Sequence, residues 1–414
     1  MPREGVAVSE PRPRSSLPDG LGPATLAVRG GQQRTEFRET SEPVFLTQGY
    51  TYDQAADAEA AFLGEADRFI YSRYGNPTVS AFEERLRLIE GAQACFSTAT
   101  GMSAVFTSLA ALVQSGSRIV AGNALFGSTF VVLNDILGKW GVRVDYVNAH
   151  RIEEWEAALA TPADVVLFET PSNPMQDIVD VAAVTELAHR AGATVILDNV
   201  FATPILQKPL EFGVDVVVYS ATKHIDGQGR VLGGAILGTR DYIEGPVKQM
   251  IRNTGPSLSP FNAWVLLKGL ETLAVRVRAQ TAAALDIAQW LESQPGVRGV
   301  RYPFLDSHPQ SGLAKEQMAG GGTVVTLDLD VDGSPEEIKA RTFAFLDALQ
   351  LVDISNNLGD AKSLITHPAT TTHSKIAREE RYAVGISDST VRLSVGLEDV
   401  ADLQGDLTQA LRAL

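Results

Sequence analysis

Through the middle of the chain, short runs of β-branched and apolar residues alternate with stretches striped at helical spacing. The runs fall at 118–121, 142–147, 165–168, 195–197 and 214–219, and helical patterns lie between most of them, for example over 181–191. Near-continuous apolar strands alternating with helices predict a mainly parallel sheet covered on both faces, an α/β arrangement. Upstream, Thr78 is the expected N-cap of a helix striped by Val79, Phe82, Leu86 and Ile89, with Gly91 placed to end it in the left-handed conformation. A second helix is expected from Gly101 to about residue 113, whereas residues 21–64 show no strong periodicity. From about residue 259 the texture changes. A long helical pattern covers 262–291, strand candidates follow at 323–329 and 391–395, and helices are expected at 335–349 and from residue 400 onward. This second part reads as a smaller α+β domain.

Composition narrows the function classes. The chain has 414 residues, 44% hydrophobic and 21% charged, as in an ordinary soluble globular protein of two domains. A formal net charge of -15 argues against nucleic acid as a partner, but not against a small anion held by a local cluster of arginines. The single cysteine, Cys95, excludes an intrachain disulfide and suits a reducing compartment. No apolar run approaches the roughly 18 residues of a membrane span. Residues 1–20 lack the apolar core of a signal peptide and read as a mobile arm. A cytoplasmic protein with no membrane partner is expected.

In parallel sheets, ligands sit beyond the carboxyl ends of the strands, so the residues just after each run carry the chemistry. Here those residues are Glu169-Thr170-Pro171-Ser172-Asn173-Pro174, Asp198-Asn199 and Ser220-Ala221-Thr222-Lys223-His224. The topology would bring Asn173, Asp198 and Lys223 to one edge, where an amine and a carboxylate form either a buried ion pair or a reactive site. Pyridoxal-phosphate chemistry needs that pair: a lysine to form a Schiff base with the aldehyde, and an acid to keep the pyridine nitrogen protonated. A phosphate tail would find donors in Ser220, Thr222 and the first free amides of the helix beginning at Gly101 and Met102.

These segments also resemble, in order, the Cys/Met-metabolism pyridoxal-phosphate enzymes, the cystathionine-γ-synthase-like family. The resemblance extends to Tyr71-Ser72-Arg73-Tyr74-Gly75-Asn76-Pro77-Thr78, to His367-Pro368-Ala369 and to Arg392-Leu393-Ser394-Val395-Gly396-Leu397-Glu398-Asp399. It implies the aspartate-aminotransferase-like fold (fold type I), with an N-terminal arm and inter-subunit segment at 1–64, a large cofactor-binding domain at 65–258 and a C-terminal domain at 259–414. By the same resemblance Lys223 binds pyridoxal 5'-phosphate and shuttles protons, and Asp198 pairs with the ring nitrogen. Ser220, Thr222, Gly101 and Met102 hold the phosphate. Tyr71 and Arg73 reach the cofactor of a neighbouring subunit, and Arg392, helped by Ser363 and Asn173, grips the substrate α-carboxylate. A homotetramer built from dimers with shared active sites is implied. Phe126 stands where many members stack a Tyr, which removes a hydroxyl from proton work, and Ser128 stands where γ-lyase-like members carry a Cys.

The segment after Lys223, His224-Ile225-Asp226-Gly227-Gln228-Gly229-Arg230, and the segment from Ser363 to His373 resemble the branch acting on O-succinylhomoserine and sulfide. That implies γ-replacement of succinate by sulfide to give homocysteine. Arg230 is a candidate partner for the succinyl carboxylate, a solvated loop arginine being the alternative. Sulfhydrylation of the acetyl ester, cystathionine γ-synthesis and γ-elimination stay open within the family. Two other classes are weighed: a nicotinamide dehydrogenase, for which Gly227, Gly229, Gly233 and Gly234 have the wrong spacing and precede a strand-like stretch, and a non-catalytic scaffold. His367 and His373 make a poor metal site, and none is expected.

Overall fold

The computed structural model describes residues 17–32 and 34–414; most of the expected arm, residues 1–16, lies outside the described residues. Seven strands form the large sheet: β1 (Ala94–Thr98), β2 (Arg118–Gly122), β3 (Arg143–Val147), β4 (Val165–Glu169), β5 (Thr194–Asp198), β6 (Val216–Ser220) and β7 (Gly234–Gly238). Their order is β1-β7-β6-β5-β4-β2-β3, with β7 antiparallel to both its neighbours and every other pairing parallel. The burial explains the unbroken apolar runs. Alternate residues of one strand serve different cores: Val195 and Leu197 pack into one cluster with Phe82, Leu86 and Trp155, while Ile196 between them packs into the other with Leu109 and Leu133. A strand with helices on both faces has no wet side on which to place polar residues.

The smaller sheet contains β8 (Val297–Arg301), β9 (Val324–Leu329), β10 (Asp353–Ile354), β11 (Leu364–Thr366) and β12 (Thr390–Ser394), in the order β10-β11-β12-β9-β8. All its pairings are antiparallel except β10 with β11. Helices Pro335–Ala348 and Val400–Leu411 cover it through Phe345, Leu346, Leu403 and Leu407. One helix, Pro260–Leu291, joins the two parts. Its earlier part, to Val277, gives Leu266, Leu270, Leu273 and Val277 to the large core, and its later part gives Ala284, Ile287 and Leu291 to the small one. The two layers of the fold are therefore held at a fixed angle by a single rod, which matters for a site that draws residues from both.

Several local expectations shift. The helix Pro77–Glu90 is capped by Asn76, whose Oδ1 accepts the Thr78 amide at 2.9 Å, rather than by Thr78. Pro77 favours the first helical position because its missing N–H would be unpaired there anyway. The Thr78 hydroxyl instead accepts the Phe45 amide at 2.9 Å, tying in the preceding segment. Gly91 ends the helix with φ 86°, as its placement predicts. Helix Gly101–Ala110 stops short of residue 113. Within 21–64, where no period is visible, short helices Pro23–Arg29 and Ala55–Leu63 form; neither is long enough to repeat a stripe convincingly. Among the described residues no helix is long and apolar enough to cross a membrane, and no group of three or more His, Cys, Asp or Glu is placed to hold a metal ion.

The N-terminal segment is anchored by charge as well as by Ala27 in the large core. Arg85, fully buried, pairs with Glu42, bonds the Gly30 carbonyl at 2.8 Å and lies 3.4 Å from Glu271. Lys268 shares Glu42 at 2.5 Å. Removing one member of a buried set strands the charge of the other. Arg85→Ala should therefore cost about 3 kcal/mol of stability, read as a lower urea midpoint, with an early loss of protection in residues 23–45 by hydrogen exchange.

Candidate active site

Three neighbouring parallel strands set the frame. Glu169 and Asp198 are cross-strand partners at the ends of β4 and β5, and Ser220 ends β6 beside them. Because registered residues of parallel strands point to the same face, the chemistry written after each run is delivered to one edge. A cavity of about 390 Å³ opens there, lined by Gly101, Met102, Phe126, Asn173, Asp198, Ser220, Thr222, Lys223 and Arg392 among others. Nine of the sequence-predicted residues are thus brought together from both sheets.

The floor of the cavity is a close contact that only glycine permits. A Cβ on Gly101 would lie 2.5 Å from the Ser220 Cβ, so the head of helix Gly101–Ala110 can approach the end of β6 only without a side chain. Thr100 caps this helix, accepting the Ser103 amide at 3.0 Å, which leaves the Gly101 and Met102 amides at the head with no intrahelical acceptor. The Thr222 hydroxyl accepts the Gly233 amide at 3.1 Å and so fixes the loop that follows Lys223. Phe126 precedes the short helix Gly127–Val131, and its amide donates to Glu169 Oε2 at 3.1 Å.

The titrating groups are unusual in state. Lys223 is half-buried, and its Nζ donates to the neutral amide oxygen of Asn357. Burial, reinforced by the nearby Arg392 charge, lowers the amine from the ordinary lysine value to about 8. Asp198 accepts only the Val200 amide, at 3.1 Å, and burial pushes its carboxyl up. Glu169 is pushed well above its ordinary value, first by burial and then by the charge of Asp198. Two carboxylates at adjacent strand ends resist carrying two charges, so one proton stays with the pair. Arg392 is buried on β12; Nη1 donates to Asn173 Oδ1 at 2.9 Å, and Nη2 to the Asn356 and Asn357 carbonyls at 2.9 and 3.2 Å. Among the described residues its Nε is buried with no hydrogen-bond partner, a donor left over on a residue that lines the cavity. The amine suits an aldehyde, the under-bonded carboxylate suits a ring nitrogen, and the glycine-floored nest of amides with the Ser220 hydroxyl suits a phosphate.

Three expected site residues, Tyr71, Arg73 and Ser363, and the candidate Arg230 lie elsewhere. Tyr71 is exposed and Arg73 stacks on Tyr71 and Tyr74, with a hydrogen bond to the Arg252 carbonyl; both are away from the cavity of their own chain. Ser363 is buried, its amide and hydroxyl donating to Glu398 at 2.7 and 2.8 Å while the hydroxyl accepts the Gly396 amide at 2.8 Å, so it does not line the cavity. Arg230 is tied to Asp226 at 3.0 Å and also lies outside the cavity. Conversely, Glu169 and Asn357 were not singled out from sequence. Glu169 sat in plain view at a strand end; Asn357, 134 residues from Lys223 in a loop without period, left no signal.

An α/β fold with a lysine and an acid converging at parallel strand ends defines a fold-type I pyridoxal-phosphate enzyme. Residues 24–412 match the family described as Cys/Met metabolism PLP-dependent enzyme, and the chain belongs to it. The chain is 62% identical over 404 residues, 97% of its length and 99% of the relative's, to an O-succinylhomoserine sulfhydrylase of Mycobacterium tuberculosis. It is 46% identical over 396 residues, 96% of each chain, to the enzyme so named in Pseudomonas aeruginosa. Among solved structures, cystathionine gamma synthase of Xanthomonas oryzae pv. oryzae, in complex with aminoacrylate and cysteine, superposes with a TM-score of 0.88 at 34% identity, covering 95% of this chain and 98% of the other. Pyridoxal phosphate is accordingly the cofactor of this chain, and its substrates are small molecules.

A protonated Glu169 binds a proton that the unfolded chain gives up at the ordinary carboxylate value. Its contribution is therefore complete at low pH and is lost as pH rises through and above that range. Glu169→Gln removes this titration. Apo-protein denatured in urea from about pH 5 to about pH 8 should show the variant gaining on the wild type as pH rises, whereas an ionised Glu169 would leave the difference flat.

Proposed function

We propose that this enzyme replaces the succinate of O-succinylhomoserine with sulfide, forming homocysteine. The observation that carries the reading is the convergence of Lys223, Asp198 and Arg392 on one cavity, in a chain 62% identical to a protein named for that activity. The domain division at 1–64, 65–258 and 259–414 is read with it, the large domain holding the cofactor.

Pyridoxal phosphate, joined through its aldehyde to Lys223 and protonated at its ring nitrogen, supplies an electron sink that acidifies the carbon attached to the substrate nitrogen. Asp198 holds that nitrogen's proton by charge. Ser220, Thr222 and the Gly101 and Met102 amides would hold the phosphate, and Phe126, on the same cavity wall, would offer an aromatic face to the ring. Arg392 grips the substrate α-carboxylate with its planar fork, oriented by Asn173. The substrate amine would take the place of Lys223 on the aldehyde, and the amine so freed, lowered to about 8, would face the Cα hydrogen as a usable base near neutral pH. Lys223 takes that proton, a second proton leaves Cβ, and succinate departs from Cγ. Sulfide adds at Cγ, and returning the two protons releases homocysteine. Ser363 acts from behind, bracing the turn at Gly396 and Glu398. Tyr71 and Arg73 reach the phosphate in a neighbouring subunit, so the working unit is a dimer within a homotetramer located in the cytoplasm.

Lys223→Ala should abolish turnover, and borohydride should bleach the wild type but leave the variant unlabelled at this position by peptide mapping; appreciable γ-replacement in the variant would refute the assignment. Only a neutral amine attacks an aldehyde, and burial makes more of it neutral at a given pH. The rate at which apo-protein captures pyridoxal phosphate, followed by absorbance, should therefore rise with pH and level off above about 8. A profile still climbing steeply past pH 10 would mean an unperturbed lysine.

A further inference from the structure

Resting on the succinyl-ester reading above, we propose that the open cleft beside the cofactor cavity is the acyl subsite, in which Lys375 takes the distal carboxylate of the succinyl group. The cleft, of about 1050 Å³, adjoins the cofactor cavity, and Phe126, Asn356 and Thr372 line both. A substrate with its α-carboxylate on Arg392 has this cleft as the adjoining space for the group on its γ-oxygen. A succinyl ester differs from an acetyl ester by a charged end, which needs either water or a cation.

The other cations of this region are committed. Arg230 is tied to Asp226. Arg378 bridges Asp388 at 3.2 Å and Glu336 at 3.5 Å, and Arg381 shares Asp388 at 3.6 Å. Lys362 is held by Asp360 at 3.0 Å. Arg392 is spent on the α-carboxylate. Lys375 lines the cleft, is exposed, and enters no ion pair among the described residues. No other Lys or Arg is found among the described residues on these walls. His373 also lines the cleft but is neutral, since burial lowers it to about 4. Two carboxylates, Asp135 and Glu380, share the walls. They make the cleft unattractive to anions in general and leave Lys375 as the one point that draws a negative end. An acetyl ester has nothing to offer it.

The test compares O-succinylhomoserine with O-acetylhomoserine, each with sulfide, in the wild-type holoenzyme and in Lys375→Ala, Lys375→Glu and Lys375→Arg. The ratio of kcat/KM for the succinyl ester to that for the acetyl ester should fall about tenfold in Lys375→Ala, the size of one charge-assisted contact, with the change in KM rather than kcat. Lys375→Glu should lower the ratio further, and Lys375→Arg should restore it. Competitive inhibition by free succinate should weaken in parallel, with inhibition by acetate unmoved. A ratio that stays at the wild-type value in both Lys375→Ala and Lys375→Glu, in variants that melt normally and retain the cofactor absorbance, overturns the subsite and leaves the succinyl-ester reading standing. A wild type that turns over only the acetyl ester overturns that reading itself.

Discussion

The parallel registration of β4, β5 and β6 is the constraint on which the rest depends. Because Glu169 pairs with Asp198 across the sheet and Ser220 closes the next strand, groups scattered over more than fifty residues of sequence are delivered to one edge without any dedicated binding loop. The arrangement works only while the strands stay in register, and register is secured by burial on both faces. Shifting one strand by a residue would exchange Val195 and Leu197 with Ile196 between two differently shaped cores. The polar cost is concentrated at the strand ends. An amine, two carboxylates and a guanidinium are partly stripped of water there, and each responds by shifting toward its neutral form. The same desolvation that costs stability supplies a lysine usable as a base near neutral pH.

The second sheet makes the site specific. Arg392 lies on β12, a central strand of the smaller sheet, and reaches across to Asn173, which follows β4 of the larger one. The bond between them joins the two sheets and, on the function proposed above, belongs to the substrate grip as well. Its geometry is maintained by helix Pro260–Leu291, which belongs to both cores. A helix of 32 residues spans about 48 Å at 1.5 Å per residue, so a modest bend along it would carry Arg392 away from Asn173. The small residues and close contacts near its middle resist this: Gly269 sits against the Ile225 carbonyl, and Arg276 bonds the His224 carbonyl at 2.8 Å, immediately after Lys223. The rod is thus clamped to the catalytic loop itself.

How much was legible follows from what each element asks of its residues. The four interior parallel strands, β2, β4, β5 and β6, were readable because double burial forces an unbroken apolar run, whereas β3, at the far edge and largely exposed, was marked by its β-branched residues alone. The β1 strand, Ala-Cys-Phe-Ser-Thr, lies at the sheet's edge and mixes polar with apolar residues, so it left no such run. The β10 and β11 strands are two and three residues long, below any period. Lys223 and Asp198 stood out because strand ends are where such folds place chemistry; Asn357 did not, because its role is conferred by a loop folding back over the site. Arg230 is the opposite case, left open by the sequence between a substrate partner and a loop arginine. A cation in a glycine-rich loop near the lysine looked available to substrate, but Asp226, four residues earlier and fully buried, already claims it through side chain and backbone alike. Motif resemblance marks position; only packing shows whether a charge is free.

That distinction also bears on how an acidic protein could handle the anionic substrate proposed for it. With a formal net charge of -15, the long-range field repels a dicarboxylate, and screening confines what remains to roughly the 8 Å Debye length of physiological salt. Attraction must come from cations that are not already neutralised by the protein's own acids. Arg85, Arg118 and Arg298 are each paired with carboxylates and serve folding. Arg392 differs: its donors meet neutral carbonyls and an amide, Nε has no partner among the described residues, and the Glu169 carboxyl is pushed by burial well above its ordinary value, toward its neutral form. Holding Glu169 neutral therefore does two things at one edge of the sheet. On the function proposed above, it leaves the Asp198 charge undivided for the pyridine ring, and it leaves the Arg392 charge undivided for the carboxylate of the substrate.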